Sequence, residues 1–123
     1  VIETNLDVHQ AMQELMGIHG AVGASIVDYE SGMVLADAGS HVDLEYTAAR
    51  FSDVVRMNLD IMKVSGLDDG MEDILITYDN SFVLLRILRN AEGLFMQLNF
   101  NKIGPNIGLA RYKLGQVDRR LTI

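Results

Sequence analysis

The sequence predicts an α+β fold: a five-stranded antiparallel sheet sandwiched between one long helix on one face and two helices on the other, in the order α-β-β-α-β-β-β-α. Apolar residues recur at helical spacing in three stretches, the middle one running from Leu44 to Ser65. Short runs rich in Ile, Val, Leu and Phe stand between them, bounded by Gly, Asn and Asp. No internal repeat or low-complexity linker interrupts the 123 residues, a length suited to one domain spanning 1–123.

Each element has its own signal. Thr4 to Asp7 matches the Ser/Thr-x-x-Asp/Glu helix-start pattern, and Val8, Ala11, Met12, Leu15 and Met16 follow helical spacing up to Gly17. Ala21 to Val27, the turn residues Asp28 to Gly32, and Met33 to Ala36 read as a strand, a tight turn and a second strand. Asp43 is the expected cap of the long helix and Gly66 its stop. Beyond the acidic loop Asp68, Asp69 and Gly70, the runs Asp73 to Tyr78, Phe82 to Leu88 and Leu94 to Phe100 predict antiparallel strands in succession. Asp79 and Asn80, which tolerate positive φ, join the first two as a two-residue hairpin, and Asn90 to Gly93 join the next. Pro105 sits where a helix start accepts it, and Ile107, Ala110, Leu114, Val117 and Leu121 make a final amphipathic helix. Gly108 and Gly115 fall on one face of that helix at about 1 kcal/mol each against alanine, which predicts close approach to the sheet or the first helix.

The long helix carries more apolar surface than a core needs. At about 100° per residue, Leu44, Ala48, Phe51, Val55, Leu59 and Met62 align as a core face. Roughly 140° away, Val54, Met57, Ile61 and Val64 form a second stripe that Tyr46 and Arg50 extend toward the N-terminus. The third side holds Glu45, Ser52, Asp53, Arg56, Asp60 and Lys63, with Asp53 and Arg56, Arg56 and Asp60, and Asp60 and Lys63 spaced for solvated ion pairs. The second stripe either packs inside the domain or meets another protein.

Composition excludes several classes. A hydrophobic content of 49% argues against disorder, and the absence of cysteine rules out a disulfide scaffold or a thiolate metal site while fitting the cytoplasm. No secretory signal or membrane-length apolar run is evident, so a soluble cytoplasmic protein without membrane insertion is expected. The net charge of -7 argues against nucleic acid as a partner. Basic residues are uneven: none precedes Arg50, whereas Lys102, Arg111, Lys113, Arg119 and Arg120 gather after Asn101 with Asp118 the only acid among them. That cluster can hold an acidic partner or a phosphate, although a solvated helix face explains it first.

Catalytic signals are thin. The glycines of Gly17 to Gly23 lack Gly-x-Gly-x-x-Gly spacing and precede a strand, whereas a phosphate cradle precedes a helix, so they read as a turn. No Walker-type segment exists. The three histidines, His9, His19 and His41, lack the paired spacing of a metal site. A Ser25, His19, Asp28 triad can be written down, but Ser25 lies mid-strand without a nucleophile elbow. The carboxylates Asp68, Asp69, Glu72 and Asp73 lack the ligand alternation of a calcium loop. The expectation is no catalytic residue, no metal and no cofactor.

Three segments and the element order together resemble the roadblock, or dynein light chain, domain family. The segments are Ile18 to Ala24 leading into the first strand, Ser31 to Ala36 in the hairpin, and Gly104 to Arg111 opening the last helix, and the likeness spans nearly the whole chain. The resemblance implies a non-enzymatic homodimer whose sheets run on and whose long helices pair, presenting a surface to Ras-like small GTPases or larger assemblies. On that basis Val54, Met57, Ile61 and Val64 are the expected dimer interface, an isologous contact. Tyr46, Arg50, Asp53, Arg56 and Asp60 are the expected partner-binding rim, with Arg50 and Arg56 foremost. Two alternatives stand beside this regulator or scaffold: a structural subunit of a motor or signalling assembly, and a small-molecule sensing module of the PAS or GAF kind. The last requires a hollow core, whereas Ile74, Ile76, Val83, Leu85 and Ile87 are available to fill one.

Overall fold

The computed structural model describes residues 4–39, 42–102 and 106–123. Its elements are α1 (Val8–Met16), β1 (Ala21–Asp28), β2 (Met33–Gly39), α2 (Leu44–Ser65), β3 (Asp73–Thr77), β4 (Ser81–Ile87), β5 (Leu94–Asn101) and α3 (Ile107–Arg120), the predicted order. The strands form one antiparallel sheet in the order β2-β1-β5-β4-β3. β5 lies at its centre and is buried from Leu94 through Phe100, because both of its faces are covered.

Alternation along the strands separates two cores. On one face Ala24, Ile26, Leu84, Met96, Leu98 and Phe100 pack with Ala11, Met12 and Leu15 of α1 and Ala110, Leu114 and Val117 of α3. On the other, Val27, Val83, Leu85 and Phe95 meet Ala48 and Val55 of α2, with Phe51, Leu59, Ile74, Ile76 and Ile87 at the margin. The second core is partly polar. Gln97, fully buried, donates through Nε2 to Thr47 Oγ1 at 3.0 Å and to Asn99 Oδ1 at 3.1 Å. Ser25, its cross-strand neighbour, keeps an unpaired hydroxyl, and Gln97 Oε1 is likewise without a partner.

Local chemistry sets the helix ends. Asp43 accepts from the Tyr46 amide at 3.0 Å, and Gly66 closes α2 in the left-handed region with φ 78°, as expected. α1 differs in its start: Asp7, not Thr4, is its cap, forming a reciprocal capping box with Gln10. Leu6 is thereby freed to bridge in parallel to Leu121, and so ties the two ends of the described chain together. Asn106 caps α3. Gly104 and Pro105, part of the motif expected to open α3, lie outside the described residues, as does His41.

Three further expectations are corrected. The hairpin at Asp79 and Asn80 closes through Tyr78 N–H to the Ser81 carbonyl, yet neither residue has positive φ, so the turn does not use their left-handed tolerance. Among the described residues Gly108 approaches only its own cap, where a Cβ would meet Asn106 Oδ1, whereas one on Gly115 would lie 3.7 Å from the Arg86 guanidinium of β4. β2 runs past Ala36 to Gly39, where φ is 82° and an added Cβ would fall 2.4 Å from the Val22 carbonyl. Only glycine fits there, because the Gly23 and Gly39 backbones are paired face to face.

Candidate interaction surface

α2 lies over the β1 and β2 half of the sheet with Leu44, Ala48, Ser52 and Val55 turned inward. The second stripe points away. Met57 is 65% exposed, Ile61 56% and Val64 78%, while Val54 is half-buried. Tyr46, at the other end of the same line, is 64% exposed, and Leu67 beyond the helix is exposed as well. Packing within the domain therefore covers Val54 in part and leaves more than half of each of Met57, Ile61 and Val64 exposed. Four large apolar groups in one outward line are more than isolated surface hydrophobes require.

The third side of α2 is not a solvent face throughout. Ser52 is fully buried and returns its hydroxyl to the Ala48 carbonyl at 2.7 Å. The β1–β2 turn covers it. Gly32, with φ 78°, faces Ala49 and Ser52 there: a Cβ on it would lie 3.4 Å from Ala49 Cα and 4.0 Å from the Ser52 hydroxyl. Arg56 completes the contact by donating through Nη1 to the Tyr29 carbonyl and through Nη2 to Asp53. The Tyr29 hydroxyl is held above its ordinary range by burial and then by Glu30, Glu92 and Asp28, so it stays protonated. Asp53 also takes Arg50 at 3.2 Å, which makes it the shared counter-ion of both arginines. The pairs Arg56 with Asp60 and Asp60 with Lys63 are not among the ion pairs of the described residues.

The expected rim thus divides. Tyr46, Arg50 and Asp60 are exposed beside the apolar stripe, whereas Arg56 and Asp53 are half-buried and engaged at the turn. The Arg56 contact spans 27 positions in sequence, and helical spacing carries no trace of it. β2 and β3 are the edges of the sheet. β3 is anchored from its sheltered side, where Arg111 of α3 holds Asp73 bidentately at 2.9 and 3.1 Å. That hydrogen bonding raises the Arg111 guanidinium pKa further, so the last helix has already committed one of its cations.

The residues weighed for chemistry are placed apart. Ser25 is fully buried, His19 is exposed, and Asp28 Oδ1 accepts from the Glu30 and Ser31 amides within the turn. Among the described residues no group of three or more His, Cys, Asp or Glu is arranged to hold a metal ion. A cavity of about 240 Å³ lies between the start of α2 and the sheet, lined by Val22, Thr47, Phe51, Phe82, Val83 and Asn99 among others. Apolar side chains dominate it.

No protein-family model and no curated protein matches the sequence. Solved structures do match the fold. A Roadblock/LC7 domain from Streptomyces avermitilis superposes with a TM-score of 0.79 at 13% identity, covering 93% of each chain. The gliding protein MglB from Thermus thermophilus gives 0.72 at 16% identity over 96% of each. An MglB in a tetrameric arrangement gives 0.75 at 15% identity, over 95% of this chain and 92% of that one. Superposition at these TM-scores over nine-tenths or more of each chain shows that the chain has the roadblock fold.

Proposed function

We propose that the chain is a non-enzymatic homodimeric regulator or scaffold of the cytoplasm that binds a Ras-like small GTPase through paired α2 helices. The outward stripe of Met57, Ile61 and Val64 carries this reading. Full burial of each side chain is worth roughly 1.5–3 kcal/mol, enough for a second copy to stabilise the pair. A two-fold axis beside α2 sets the stripe against itself, with Val54 at the margin. Tyr46, Arg50 and Asp60 then remain on the rim, an aromatic and charged set of the kind that anchors partners. The tetrameric arrangement of a similarly folded MglB supports a fold that self-associates.

Sedimentation equilibrium at micromolar concentration tests the dimer. The chain should sediment as a dimer, and Met57→Asp with Ile61→Asp should sediment as a folded monomer, because the pair would bury like charges. A monomeric wild-type chain overturns the reading. With a candidate GTPase in each nucleotide state, Arg50→Ala should weaken binding by about 1 kcal/mol or more while the dimer persists. Wild-type affinity in Arg50→Ala and Arg56→Ala, with loss in Lys113 or Arg119 variants, would move the platform to α3.

A further inference from the structure

Between the first turns of α2 and the adjoining ends of β1, β4 and β5, the α2-side core is left open as the cavity of about 240 Å³. Thr47 and Phe51 line it from the helix, and Val22, Val83 and Asn99 from the strands. Tyr78 and Asn80, both exposed, mark the side that opens to solvent. Among the described residues no Lys, Arg, His, Asp or Glu contributes to the wall. The proposed function leaves this space unused.

One polar group in the wall is left without a partner. The Thr47 hydroxyl has a single proton, which it gives to the α2 carbonyls, Asp43 at 3.0 Å and Leu44 at 3.3 Å. Toward Gln97 it can then only accept, so Gln97 Nε2 must face both Thr47 and Asn99. Asn99 in turn must present Oδ1 to Gln97. Its Nδ2 is left with no acceptor among the described residues, although Asn99 is only 5% exposed and lines the cavity. Two N–H donors thus stand in the wall of an apolar space, and donors so placed are costly until an acceptor reaches them.

We infer that this cavity binds a small, neutral, mostly apolar molecule whose one carbonyl oxygen accepts from Asn99 Nδ2. Size and charge narrow the class. An apolar cavity of about 150 Å³ takes benzene, so this one has room for a ring with a short substituent. A carboxylate or phosphate would meet no cation in the wall, and the net charge of -7 repels anions in general. A neutral ketone, ester or amide gives Asn99 its acceptor and leaves the rest of the ligand against Phe51, Val22 and Val83. The site faces the sheet, apart from the outward stripe of α2, and does not rest on the GTPase reading.

Acetophenone, isopropylbenzene and benzoate, which share a ring and differ in the acceptor and the charge, test the inference when titrated into the full chain and followed by chemical shifts. Acetophenone should give saturable shifts at Thr47, Val83 and Asn99, and benzoate should not. The Asn99 side-chain amide protons should move further downfield with the ketone than with the hydrocarbon, a readout that needs no variant. Asn99→Leu should weaken acetophenone by about fivefold or more and spare isopropylbenzene, as loss of one hydrogen bond requires. Val22→Phe should abolish binding of both by filling the space, whereas Met57→Asp with Ile61→Asp should leave both affinities unchanged. Absence of saturable shifts at the cavity, benzoate binding as tightly as the ketone, or an unchanged ketone-to-hydrocarbon ratio in Asn99→Leu would each overturn it. Binding seen only in the Met57 and Ile61 variant would do so too, since a second copy would then fill the cavity.

Discussion

Asp118 joins three parts of the molecule through one carboxylate. It neutralises Arg86 of β4, receives both amides at the start of the β4–β5 turn, and belongs to α3. As the only acid in a run of cations it looks in the sequence like a stray charge, and the partners that explain it lie 28 to 32 positions away. Removing it leaves a buried cation uncompensated and two amides unpaired. Asp118→Ala should therefore lower unfolding free energy by about 3–5 kcal/mol, read as a fall in urea midpoint at unchanged slope. A loss below about 1 kcal/mol would mean that water readily replaces the carboxylate.

At the scale of the element, α2 shows which features a helical pattern encodes. Its limits, both caps and its two stripes follow from spacing and from Asp43 and Gly66, and all appear in the fold. Its contact with the β1–β2 turn does not follow, since Arg56 and Ser52 read as solvated until Gly32 brings the turn over them. Arg56 and Arg50 should consequently behave differently despite sharing Asp53. Arg56→Ala should speed amide exchange across residues 29–32 and cost about 1 kcal/mol, the loss of a charge-assisted bond discounted for partial exposure. Arg50→Ala should leave both unchanged. Equal effects from the two variants would show that the turn is held by Gly32 packing alone.

For the whole molecule, one sheet supports two unlike faces. α1 and α3 close one core almost completely, and α2 covers the other while turning Met57, Ile61 and Val64 outward. The glycine segment before β1 serves this architecture as a turn: Gly20 takes φ 89°, and the chain enters a strand where a phosphate loop would enter a helix. Purified protein should accordingly neither bind ATP or GTP tightly nor hydrolyse them, as measured by equilibrium dialysis and phosphate release. Turnover that survives repurification and disappears on replacing Gly20 or Gly23 would return a catalytic role to that segment.

Periodicity and turn chemistry were enough to determine the element order, most boundaries, the long helix and its surplus apolar line, because these depend on residues within a few positions of one another. Tertiary structure decided what depends on distant partners. It buried Ser52, engaged Arg56, assigned Asp7 the capping role once Leu6 was bridged to Leu121, and closed the Asp79 turn without positive φ. It also brought Arg86 of β4 and Asp118 of α3 together across 32 positions. A side chain's neighbours across a sheet are set by strand order and register, and neither is written in the spacing of any one segment.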